Sequence, residues 1–160
     1  MLEKIYAESH IEIEDENTKK FLLKMCEMEK MAKEKACKLI TEEELEELEK
    51  AAKEFEKGIA EENVVKLAEA DVVFHDVIYK ASGNARLNQV LNNLREQIYR
   101  YRVEYLKDEA TRNDLIAEHE LICKALRERD AAKAMEITFQ HIENQRQAII
   151  QTIAPENTDK

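Results

Sequence analysis

From Thr18 to Ile149 the apolar residues of this chain recur at three- and four-residue spacing almost without interruption, and only 2 glycines and 1 proline punctuate its 160 residues. That period places one apolar stripe along each segment. Strands joined by tight hairpins need glycine- and asparagine-rich turns that are scarce here, so the stripes must be buried helix against helix. The chain is read as an all-α bundle, long enough to bury a single core.

The stripes and their stop signals divide the chain into about six helices. The first runs from Thr18 to Leu39, with Phe21, Met25, Met28, Ala32, Ala36 and Leu39 on one face. Thr41 to Glu44 reads as a capping box for a second helix that carries Leu45, Leu48, Ala52 and Phe55 and ends near Gly58. A third helix carries Val64, Leu67, Ala68, Phe74 and Ile78 inward and stops at Ser82, Gly83 and Asn84, where glycine can take the left-handed C-terminal cap. The fourth, from Ala85 through Tyr101, buries Leu87, Val90, Leu91, Leu94, Ile98 and Tyr101, with Arg102 flanking that face. The fifth, Thr111 to Glu128, turns Leu115, Ile116, Ile122, Cys123 and Leu126 inward; the sixth follows an Asp130 N-cap and carries Ala134, Met135, Thr138, Ile142, Gln145 and Ile149. Pro155 and the polar residues 156–160 are expected to end the fold.

Charge and cysteine usage remove several functions. A net charge of -10 opposes nucleic-acid binding by the chain's own field, since displacing counterions from phosphates needs a basic face. Cys26, Cys37 and Cys123 are odd in number and lack C-x-x-C spacing, which points to reduced thiols rather than a disulfide framework or a thiolate zinc site. No segment has the apolar length of a membrane span or the apolar stretch of a signal peptide, so a cytoplasmic location without membrane attachment is expected.

Chemistry concentrates on the inward faces. Asp71 and His75 are one helical turn apart on the stripe of Phe74 and Ile78, so a carboxylate and an imidazole are placed among apolar side chains. Such a pair is either a structural hydrogen bond or part of a metal site. His119 and His141 also fall on inward stripes, on two further helices. One aspartate and three histidines are the oxygen and nitrogen donors preferred by Zn²⁺, Ni²⁺, Mn²⁺ or Fe²⁺. A carboxylate-bridged di-iron centre is disfavoured, because none of the 4 histidines has a glutamate three residues before it. A metal-dependent enzyme remains an alternative, although no serine, lysine or spare glutamate is placed as a general base.

Asp71-x-x-Phe74-His75, the Ser82-Gly83-Asn84 turn followed by Leu87, the Glu118-His119 pair with Ile122 and Ala125, then Asp130, Ala134 and His141 together resemble an FCD domain, from about Phe21 to Ile150. FCD domains are the effector-binding domains of FadR-subfamily GntR transcription regulators. The resemblance implies an antiparallel bundle of about six or seven helices with an internal ligand cavity. It implies one divalent transition metal, Zn or Ni favoured over Mn or Fe, on Asp71, His75, His119 and His141. It also implies a small carboxylate effector, a homodimer, and DNA contact only through a winged helix-turn-helix domain. Residues 1–17 form an acidic segment, the FCD-like bundle spans 18–154 and 155–160 are a tail, so no DNA-binding domain is expected in this chain. Met25 stands one turn before Glu29, where the family often has arginine.

Four protein ligands leave one or two coordination positions for a carboxylate effector, with an arginine to neutralise a second charge. Arg102 is the first choice for that arginine and Arg95 the second; Tyr101, with Tyr105, flanks the same face and could donate a hydrogen bond.

Overall fold

The computed structural model describes residues 16–157 of the chain. Among these residues there are seven helices and no strand: α1 Glu16–Leu39, α2 Glu42–Ile59, α3 Val64–Ala81, α4 Ala85–Asn93, α5 Arg95–Tyr105, α6 Glu109–Arg127 and α7 Ala131–Asn157. None of them is long and apolar enough to cross a membrane.

The starts of the helices follow local chemistry. Thr41 Oγ1 accepts from the Glu44 amide at 3.2 Å while Glu44 Oε2 accepts from the Thr41 amide at 2.8 Å, which satisfies two otherwise orphaned donors of α2. Asn63, Asn84, Asp108 and Asp130 do the same for α3, α4, α6 and α7 through their side-chain oxygens. At the end of α3, Gly83 has φ 65, a conformation that a Cβ would strain. The Leu39 side chain lies over it, 3.3 Å from where such a Cβ would stand.

α1 lies along α7, and α2 pairs with α3 and α6. Their apolar faces meet in one cluster around Ile40, Leu48, Phe74, Ile78, Ile122 and Leu126, and in two flanking ones around Met25 and Leu91 and around Phe55, Leu67 and Leu115. Each fully buried leucine, isoleucine or phenylalanine contributes roughly 1.5–3 kcal/mol. Arg129, at φ 56 in the α6–α7 turn, donates to the carbonyls of Cys37 and Ile40, both at 2.9 Å, and so caps the C-terminal end of α1.

Three details depart from the sequence reading. The fourth helix is two: the backbone breaks at Leu94, with φ -95 and ψ 0, after the weak helix formers Asn92 and Asn93. The break gives α4 and α5 independent faces, and Val90 is left exposed while Leu87, Leu91, Arg102 and Tyr105 are buried. Leu39, expected on the inward stripe of α1, is exposed because the helix stops there. The last helix continues through Pro155 to Asn157, since a proline near a helix end forfeits a backbone hydrogen bond without necessarily stopping the helix.

Candidate metal centre

Asp71 and His75 come from α3, His119 from α6 and His141 from α7, and all four are buried. Helical spacing explains this directly, since Asp71 and His75 share the stripe of Leu67, Phe74 and Ile78 that α3 turns into the core. One ligand atom each from Asp71, His75 and His119 lies within 4.8 Å of the other two. Asp71 Oδ1 is 2.9 Å from His119 Nε2 and 3.4 Å from His75 Nε2. Donor atoms on one zinc-like ion stand roughly 3 to 3.5 Å apart, given metal–ligand bonds near 2 Å, so these separations fit a shared cation.

The polar accounting favours the same conclusion. Both nitrogens of His75 and Nδ1 of His119 lack a hydrogen-bond partner although they are buried. A core histidine kept only for packing is normally hydrogen-bonded, so an imidazole with two unsatisfied nitrogens points to a missing partner. Burial pushes the His75 imidazole down to about 4, which keeps it neutral and able to donate a lone pair. Burial alone would raise the Asp71 carboxyl, but His75, His119 and Arg102 together hold it well below the usual carboxylate range. An ionised oxygen donor beside imidazole nitrogens, that of His75 held neutral, is a ligand set suited to a divalent transition metal.

His141 stands beside this trio. Its ring centroid is 5.7 Å from that of His75, and its Nδ1 is hydrogen-bonded with Glu118 Oε2. Asn144 Nδ2 donates to the other oxygen of Glu118 at 2.9 Å. A carboxylate behind Nδ1 is the usual way to orient a ligating imidazole. The plane of His119 is set by aromatics: Phe74 stacks on it at 4.0 Å and Phe55 meets it edge-on at 4.8 Å.

Arg102 is buried and its Nε lies 3.2 Å from Asp71 Oδ2, within ion-pair distance though not aligned as a hydrogen bond. Tyr105, which the sequence placed beside Tyr101, is buried and its hydroxyl donates to Asp71 Oδ2 at 2.8 Å. The side chains of Arg95 and Tyr101 lie outside the described residues. Cys123 is not among the grouped donors, and burial pushes its thiol up to about 12. Glu29, Lys33 and Tyr79, to which the sequence reading assigned no role, are all buried in contact with this network. Glu29 and Lys33 continue the i, i+4 series from Met25 on the inward face of α1, which is the signal that could have found them.

Acid should destabilise the metal-free protein earlier than carboxylate titration alone would. The His75 ring ionises near 6.5 when unfolded and about 4 when folded, so below 6.5 the unfolded chain takes a proton that the folded one refuses. Stability is therefore complete above pH 6.5 and falls as pH drops toward 4, His75 contributing a loss of about 3 kcal/mol by the lower limit. Glu29, held down to about 2, and Asp71 add losses of the same sign below pH 4.5. Urea unfolding of chelator-treated protein at several pH values checks this; stability flat from pH 7 to 5 would show that His75 is not buried neutral.

The FCD domain model matches residues 25–144 of the chain. No curated protein matches it.

Proposed function

The chain belongs to the FCD domain family, and on that premise we propose that it is the metal-containing, effector-sensing domain of a FadR-subfamily GntR transcription regulator. FCD domains are ligand-sensing domains of GntR regulators, which are generally not enzymes. The observation that carries the metal reading is the buried trio of Asp71, His75 and His119 with its unsatisfied imidazole nitrogens. Asp71, His75, His119 and His141 would hold one divalent ion, Zn or Ni favoured over Mn or Fe. When bound, that ion supplies Lewis-acid positions for an organic acid.

The chain's own residues do the rest. Asp71 and the three imidazoles would hold the cation where α3, α6 and α7 bring them together, Glu118 would orient His141, and Arg102 would offer a positive charge beside the centre. A small carboxylate effector bound there would meet the Arg102 guanidinium of α5 beside Asp71. In a homodimeric, cytoplasmic regulator its arrival would bias how a winged helix-turn-helix domain sits on DNA. The bundle of residues 18–154 is the sensing unit, does not itself bind nucleic acid and is not an enzyme.

Thermal-shift screening of metal-loaded protein against di- and tricarboxylates, hydroxy acids and sugar acids is the test. An acid present at a hundred times its dissociation constant should stabilise the protein by about 2.7 kcal/mol. Chelation should abolish the response, and Arg102→Ala should weaken it while metal is retained. Neutral apolar compounds that stabilise the metal-free protein equally well would refute the reading.

A further inference from the structure

Glu29 and Lys33, one turn apart on α1, are buried charges outside the metal set. Lys33 Nζ donates to Glu29 Oε2 at 3.1 Å. Glu29 is also met from two other helices. The Tyr79 hydroxyl of α3 donates to Oε1, the Arg102 guanidinium of α5 stands 3.9 Å from that same oxygen, and His75 Nδ1 lies 3.8 Å from Oε2. Arg102 also donates to the Tyr79 hydroxyl at 3.4 Å. One carboxylate thus gathers an ammonium, a guanidinium and a phenol in a region closed to water, which is the donor set by which proteins grip small acids. Packing alone would be served as well by apolar side chains, because desolvating such ions is costly.

Position and charge give this cluster a use. Arg102 spans the gap between Glu29 and Asp71, so the cluster adjoins the metal trio. The buried anions Asp71 and Glu29 are balanced by the cations Arg102 and Lys33. A divalent ion adds two positive charges to this core, of which the ionised Glu118 behind His141 offsets one, so the loaded centre keeps an excess of positive charge that draws an anion. Glu118 is already engaged by His141 and Asn144.

Resting on the metal-centre reading above, we propose that Lys33, Arg102 and Tyr79 form a second anion subsite, occupied in this structure by the chain's own Glu29, and that the effector is a dicarboxylate. One carboxylate of the effector goes to the metal and the other takes over donors of Glu29. Lys33, with three N–H donors, bridges Glu29 and the incoming group. Glu29 closes onto His75 Nδ1, which has no hydrogen bond of its own.

Calorimetric titration of the metal-loaded chain with short α,ω-dicarboxylates, from oxalate to adipate, and with the half-amide of each tests this. The best diacid should bind at least about tenfold more tightly than its half-amide, the effect of one buried charge-assisted contact. Lys33→Met should shrink that preference to about threefold or less without loss of metal, and Glu29→Gln, which removes the resident anion, should tighten the diacid several-fold. Half-amides that bind as well as diacids, or a preference intact in Lys33→Met, overturn the subsite and leave the metal centre standing. If no acid of the series binds the metal-loaded protein, the dicarboxylate proposal is overturned while the metal centre stands; if the chain retains no metal, both fail. Should Lys33→Met not fold, Glu29→Gln decides alone: unchanged diacid affinity overturns the proposal.

Discussion

His119→Ala should leave the purified protein with about a tenth or less of the wild-type metal content, since even outer partners of a metal ligand are worth 10- to 100-fold in affinity and His119 is a direct one. Its Nε2 is 2.9 Å from Asp71 Oδ1, so truncation removes one of the grouped donors outright. The ring also packs on Phe55 and Phe74, and some stability will go with it. Metal is therefore measured per folded chain, by elemental analysis of protein purified without a histidine tag. His10→Ala, a change outside the described residues, provides the control and should retain the wild-type amount. Equal metal content in the two variants would remove His119 from the ligand set.

Asp71→Ala should be the most destabilising single change in the metal-free protein. Asp71 takes the Tyr105 hydroxyl at 2.8 Å, faces His119 at 2.9 Å and balances the Arg102 guanidinium at 3.2 Å. Its removal leaves a buried guanidinium whose remaining carboxylate, Glu29, is 3.9 Å away. Breaking a buried pair in this way costs roughly 3–5 kcal/mol. At about 2–4 °C per kcal/mol the melting temperature should fall by roughly 6–20 °C. Chelator-treated protein is used for both forms, so that loss of metal does not enter the comparison. A loss below about 1 kcal/mol would show that the guanidinium is compensated elsewhere.

Element identity and the inward placement of the candidate ligands were legible because each depends on a period. The stripe of Leu67, Phe74 and Ile78 carries Asp71 and His75 into the core wherever the helix goes, and the capping box at Thr41 and the Gly83 stop are local rules that the structure obeys. What periodicity cannot supply is the depth of a flanking position. Glu29 and Lys33 look like an ordinary solvated i, i+4 pair until α1 is laid against α3 and α5, and only that docking makes them buried ions. Glu118 was visible as half of a Glu-His pair, yet its hydrogen bond to His141 joins α6 to α7 and has no spacing signature. The break at Leu94 was hidden for another reason. Neither glycine nor proline marks it, so a backbone turn set by packing overrode a continuous helical pattern.

The clamp that Arg129 places on α1 also bears on the order in which the chain can assemble. Its two hydrogen bonds join positions 92 and 89 residues apart, and α1 lies along α7, the last of the described helices in chain order. At typical rates of synthesis, on the order of ten seconds separate the emergence of α1 from that of its partner. During that interval α2 and α3, adjacent in sequence, can dock on each other, while Met25, Cys26 and Met28 of α1 still await Ile142. Among the described helices the first to leave the ribosome thus waits for the last to complete its packing, and its apolar face is a surface a nascent-chain chaperone would meet.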